Sequence, residues 1–158
     1  MEEKQTVFKF NDYEWQGIKT IEYKPKNQKD MKISFNDVKR QNIFESKDGI
    51  NFDMRYFECA LGGYTSLEKH EHAHVVMVMR GKGQVIIGQD VYDVNPYDLF
   101  VIPSYKPHQL INTGDEPFGF VCTVNAVRDK FQLLSKDEID ALKKIKKVDA
   151  AMRIPDTY

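Results

Sequence analysis

No apolar run in the sequence approaches the roughly 20 residues that a helix needs to span a bilayer. The N-terminal residues Met1-Glu2-Glu3-Lys4 are charged and lack the apolar core of a secretion signal. The expectation is a cytoplasmic protein with no membrane partner. Charge of one sign is also missing: the formal net charge of -1 leaves no broad basic surface, which excludes nucleic acid as a partner. Cysteine is scarce. Cys59 and Cys122 are too few for a disulfide framework and lack the spacing of a metal-binding pair. Both stand in strand-like apolar context and read as buried free thiols; the alternative is that one, Cys122, lines a pocket.

What remains is enough for a folded domain. At 158 residues, with 41% apolar and 30% charged side chains, the chain is globular rather than disordered and is expected to form one domain over 1–158. Apolar and polar residues alternate in Thr6–Phe10 and Ile18–Tyr23, a period of two that predicts half-buried strands, with Trp15 as a packing anchor between them. Lys24–Asp30 reads as a turn or loop, residues 31–50 are weakly patterned, and Asp48-Gly49 signals a turn. Asn51–Ala60 reads as a strand stopped by Gly62-Gly63.

Val75-Val76-Met77-Val78-Met79 puts five apolar residues in succession, so both faces of that strand should be covered. One face would look into a barrel. The other would need the N-terminal strands or a second subunit, which points to a homodimer. Arg80–Gly83 turns the chain into Gln84–Gly88, read as a hairpin partner. Val91–Val94, Leu99–Ile102 and Phe118–Val124 follow, separated by turn residues, and predict an all-β antiparallel sandwich or barrel. The end differs. Ser135-Lys136-Asp137-Glu138 has capping-box spacing, and Ile139, Leu142, Ile145 and Val148 continue it as one C-terminal helix over 135–148, with paired lysines on a solvated face.

Three of the four histidines, His70, His72 and His74, fall at alternate positions, and His108 follows after a Pro-rich turn. Imidazoles gathered with a carboxylate suit a divalent transition metal. Around them the chain resembles the cupins, β-barrels that usually hold a metal at one end. Their first motif runs Gly, five residues, His-x-His, three or four residues, Glu, six residues, Gly. From Gly62 to Gly81 the matching ligand positions are Glu68, His70 and His74, with Glu for the first His and His for the final Glu. In the second motif Pro103, His108 and Asn112 match in register, while Tyr97 and Tyr105 stand where glycines are usual. A second register pairs His70 with His72, but it puts Val76 or Met77 at the carboxylate position and loses the N-terminal glycine.

The resemblance implies an antiparallel double-stranded β-helix, or jelly-roll barrel, with its core at 51–125 and extra strands within 1–50. It implies one divalent ion, Fe, Mn, Ni, Co or Zn, on Glu68, His70, His74 and His108. His72 then becomes a pocket residue able to hydrogen-bond a ligand, and Arg55 meets an anionic substrate if it points inward. The implied function is a small-molecule enzyme of the dioxygenase (oxidoreductase) or isomerase type with an open coordination position. The rival is a non-catalytic module that binds or senses a small ligand.

Overall fold

The computed structural model describes residues 7–22 and 36–154. The charged N-terminus, Tyr23 and the turn expected at Lys24–Asp30 lie outside the described residues. The first strands are β1 (Phe10–Asn11), β2 (Glu14–Trp15), β3 (Thr20–Glu22), β4 (Asn36–Phe44) and β5 (Phe52–Tyr64). Next come β6 (Glu68–Lys69), β7 (His74–Arg80), β8 (Gly83–Ile87) and β9 (Asp90–Val94). β10 (Leu99–Ile102), β11 (His108–Asn112), β12 (Phe118–Asn125) and β13 (Gln132–Leu133) complete the strands, and α1 (Lys136–Lys143) and α2 (Lys146–Ala151) close the chain.

β1 and β2 pair with each other. The rest form one curled antiparallel sheet along the path β10-β7-β12-β5-β11-β6-β13, with β4 and β3 extending from β5, and β8 and β9 from β11. This is the expected jelly-roll half-barrel. Alternation along β12 turns Phe118, Phe120, Cys122 and Val124 inward, all buried. They join Val38, Val76, Val78, Val85 and Leu110 in the barrel core. Ile86 and Ile111, on the opposite face of β8 and β11, pack instead with Ile139, Leu142 and Val148 of the two helices.

Several expectations change. Residues 36–44 form a nine-residue strand despite weak patterning, because β4 lies beside β5 and pairs with it from Asn36 to Phe44. β5 is not stopped by its glycines. It runs on to Tyr64, with Gly62 at φ +70 and Gly63 so close to the Asn36 and Ala60 carbonyls that a Cβ would lie 2.8 and 2.9 Å from them. β8 is not the hairpin partner of β7. Gly81, at φ +68, turns against the Pro117 carbonyl, 2.3 Å from where a Cβ would sit, and sends the chain to the opposite wall, where β8 pairs with β9 and β11.

The capping box forms as read, with Ser135 accepting from the Glu138 amide and the Glu138 side chain accepting from the Ser135 amide. The single expected helix is two: Ile145 is extended (φ -96, ψ 100) and divides α1 from α2. A stripe spaced strictly by three lags behind a 3.6-residue turn, and the break restores Val148 and Ala151 to the buried side. The lysines at 143, 144, 146 and 147 are exposed. Trp15 packs edge-on against Phe10 and tilted against Tyr56, as an anchor should.

The doubly covered strand is not β7 but β11, whose five residues are all buried. On β7, Val76 and Val78 are buried while Val75 and Met77 remain 45% and 38% exposed. The described N-terminal strands do not cover them. Among the described residues no helix is long and apolar enough to cross a membrane.

Candidate metal centre

All four histidines meet at one end of the barrel. Glu68 lies directly opposite His108 in the ladder between β6 and β11. His74 opens β7, and the intervening loop carries His70 and His72. The His70 ring centroid lies 3.7 Å from that of His72, 4.5 Å from His74 and 4.8 Å from His108. Two sets of donor atoms converge within 4.8 Å: His70, His72 and His74, and Glu68, His70 and His108. His70 belongs to both. The structure therefore brings His72 as close to the cluster as the four residues the resemblance implied.

The hydrogen bonds determine which ring nitrogens are free. His70 Nδ1 lies 2.7 Å from the His72 carbonyl, and His108 Nδ1 lies 2.9 Å from the Lys106 carbonyl. A carbonyl can only accept, so each Nδ1 carries the proton and each Nε2 keeps its lone pair. His72 Nδ1 donates in the same way to Asp129 at 2.6 Å. His74 Nδ1 meets the Cys122 thiol at 3.1 Å. Nε2 of both His70 and His74 is buried with no partner among the described residues. Buried imidazole nitrogens without partners are costly unless something else fills them. A cation would do so, and an acceptor behind the ring, as at His70, His72 and His108, is the usual support for a metal-binding histidine.

Electrostatics agree. Burial holds His108 down to about 4 and His70 below its ordinary value. Burial, reinforced by the neighbouring imidazoles and Arg55, takes His74 to about 2. These rings are neutral near pH 7, the form that ligates. Burial pushes Glu68 up to about 7, against the pull of the Ser66 hydroxyl that donates to it and of Arg55. Imidazole nitrogens and a carboxylate suit Fe, Mn, Ni, Co or Zn, so the residues present fit a divalent transition metal.

The cluster opens into a cavity of about 420 Å³, within the range of small-ligand sites. Arg55, Cys122 and Val76 line one row of its wall, and Phe57 and Phe120 stack below them with ring centroids 5.7 Å apart. Arg55 does point inward. Both cysteines are buried free thiols, but only Cys122 lines the cavity. Burial raises both thiols, Cys59 to about 12, while the Arg55 guanidinium pulls Cys122 the other way. Asn112 is no ligand: its amide donates to the Cys59, Ala60 and Glu116 carbonyls and accepts from the Gly114 amide, closing the turn after β11.

Sequence reading missed Asp129, which accepts from the backbone amides of Glu71 and His72 as well as from the His72 ring. A lone carboxylate in an unpatterned segment gives no local sign of such a role. Ser66, whose hydroxyl supports Glu68, was missed for the same reason.

Comparison with known proteins places this geometry. The Cupin domain family (Cupin_2) matches residues 55–124, which contain all four histidines and Glu68. A protein of Rhodospirillum rubrum named 1-methylthio-D-xylulose 5-phosphate methylsulfurylase is 40% identical over 133 residues, 84% of this chain and 82% of that protein. The crystal structure of a cupin-2 domain protein of Rhodospirillum rubrum is similar at TM-score 0.80 and 39% identity, over 89% of this chain and 90% of that one. A cupin 2 conserved barrel domain protein of Rhodopseudomonas palustris gives TM-score 0.80 and 38% identity, over 88% and 92% of the two chains. With a converging histidine cluster, a jelly-roll half-barrel and relatives of this identity and coverage, the chain belongs to the cupin family.

Proposed function

We propose that the protein is a metal-dependent enzyme acting on a small phosphorylated ketose, of the kind named for its 40% identical relative. The observation that carries this reading is the set of imidazoles whose Nε2 atoms stay free because Nδ1 is held from behind. The reading assigns one divalent ion to Glu68, His70, His74 and His108, with His72 beside them for a ligand or the ion. When bound, such an ion polarises a carbonyl oxygen as a Lewis acid. The chain's own residues do the rest. Phe57, Phe120, Val38 and Leu110 exclude water from the inner cavity. Glu68, once released from the ion, is a cavity carboxylate able to take or return a proton beside a carbonyl carbon. Of the two reaction types the resemblance implied, proton transfer next to a carbonyl, the isomerase type, is the better match to a ketose phosphate.

A second copy of this chain is the partner that the exposed face of β7 and β10 fits. Leu99 sits opposite Met77 and Val101 opposite Val75, with Leu99 58% and Val101 51% exposed. Four apolar side chains on neighbouring strands make a patch of the sort that marks an interface.

The test is metal analysis of protein purified without added metal, followed by incubation with 1-methylthio-D-xylulose 5-phosphate, with and without a small thiol. About one ion per chain, lost in His108→Ala together with substrate turnover, supports the reading. Binding without turnover favours the sensing module. Oxygen consumption on substrate addition favours the dioxygenase type.

A further inference from the structure

Three cationic side chains line the cavity: Arg55, Arg128 and Lys130. Their circumstances differ. Arg128 is already occupied, pairing with Asp53 at 2.6 Å and donating to the Asn125 and Ala126 carbonyls. Lys130 is exposed at the rim. Arg55 lies inside. It stands opposite Cys122 in the ladder between β5 and β12, and Cys122 stands opposite Val76, two residues along β7 from His74. The next row inward is Phe57, Phe120 and Val78. The guanidinium thus occupies the level between the imidazoles and the apolar floor.

Its donors are largely unmet there, although Glu68 and Asp53 act on its charge at longer range. Nη2 reaches the Cys122 sulfur at 3.7 Å, the guanidinium lies 5.3 Å over the Phe57 ring, and Nε is buried with no partner. No carboxylate pairs with it among the described residues. A guanidinium held in a ligand cavity with no carboxylate in hydrogen-bond contact, and only the longer-range pull of Glu68 and Asp53, keeps donors for an incoming anion. The fork of N–H donors fits two oxygens of a phosphoryl group at once, which an ammonium cannot match.

We propose that Arg55 anchors the phosphoryl group of the substrate inside the barrel, so that the ligand is held by its anionic end below the histidine cluster rather than at the rim. This rests on the reading that the substrate is a phosphorylated ketose. It adds the residue that reads the phosphate, and assigns that task to Arg55 rather than to Arg128 or Lys130.

Calorimetric titration with inorganic phosphate, xylulose 5-phosphate and xylulose tests it on metal-loaded wild type, Arg55→Met and Arg55→Lys, with thermal melts of each. The expected result is that wild type prefers xylulose 5-phosphate to xylulose, and that Arg55→Met loses roughly tenfold to a hundredfold in affinity for the phosphorylated ligand, as for a hydrogen bond to a charged group. Affinity for xylulose and the metal content should stay near wild type. Arg55→Lys, which keeps the charge but not the fork, should lie between and serves if Arg55→Met melts early. Unchanged phosphate preference in both variants overturns the proposal, as does a wild type that binds neither inorganic phosphate nor xylulose 5-phosphate. Phosphate binding that depends on Arg55 without turnover of any ketose phosphate would sustain this proposal while removing the enzymatic reading above.

Discussion

Asp129 accepts a hydrogen bond from His72 Nδ1 at 2.6 Å, from a position 57 residues further along the chain. The same carboxylate accepts from the Glu71 and His72 amides, and these three donors hold it well below the usual carboxylate range. It therefore fixes both the tautomer of one ring and the path of the loop that carries His70. Asp129→Asn, which replaces a charged acceptor behind the His72 ring and the His70 loop with a neutral one, should lower metal affinity by roughly tenfold, with little change in melting temperature of the metal-free protein. Competition with a chelator of known affinity measures this. An unchanged affinity would separate Asp129 from the metal centre.

Metal uptake should depend on pH through Glu68. Its folded value of about 7 lies above the ordinary 4.5, so below pH 7 the carboxyl holds a proton that an ion must displace. His108 and His74, lowered to about 4 and about 2, are already neutral in that range and add no slope. Affinity is expected to fall by up to about tenfold for each pH unit from 7 down to 5, with one proton released per ion bound. Glu68→Gln should bind more weakly and lose that slope. Proton release measured by calorimetry in two buffers of different ionisation enthalpy checks the count.

The outer face of β7 and β10 gives an association prediction. Met77→Lys together with Val101→Lys puts two like charges into the proposed interface, and light scattering should show monomers where wild type forms dimers. Both side chains point away from the cavity, so metal content should not change. A monomeric wild type at micromolar concentration would remove the interface.

Stability depends on two local features. Gly81→Ala meets both a positive φ and the Pro117 carbonyl, and should cost about 2 kcal/mol or more. Ser135→Ala removes the cap of α1 and should cost about 1 kcal/mol. Urea denaturation of the metal-free proteins reads both. Losses under a few tenths of a kcal/mol would mean the corner or the cap is not under the constraint described.

The candidate site was legible in the sequence because metal ligands must be particular residue types at a recognisable spacing; alternation along one strand was not the reason, since His70 and His72 stand in the loop between β6 and β7. Type and spacing brought out Glu68, His70, His74 and His108, with His72 beside them. The two motif positions where tyrosine replaces glycine were misleading only in appearance: Tyr97 and Tyr105 take φ +74 and +59, the left-handed region glycine would occupy, so the turns keep their course. What was not legible depends on long-range pairing. The strand at 36–44 owes its existence to β5, and Asp129 owes its role to a contact across the barrel mouth. The apolar run at Val75–Met79 implies cover on both sides, but a run of that kind does not say which neighbour faces it.

β11 carries one more implication. Its inner face presents His108 to the metal cluster, while the next residue, Gln109, accepts from the Arg153 amide and donates to the Arg153 and Thr65 carbonyls. Ile111, on that same outer side, packs among the helical residues Ile139, Leu142 and Val148. A single five-residue segment thus connects the histidine cluster to the seating of α1 and α2. By reciprocity, an ion bound on His108 that steadied this strand would also tighten the docking of α1 and α2, and loosening those helices would weaken the ion's hold by the same free energy.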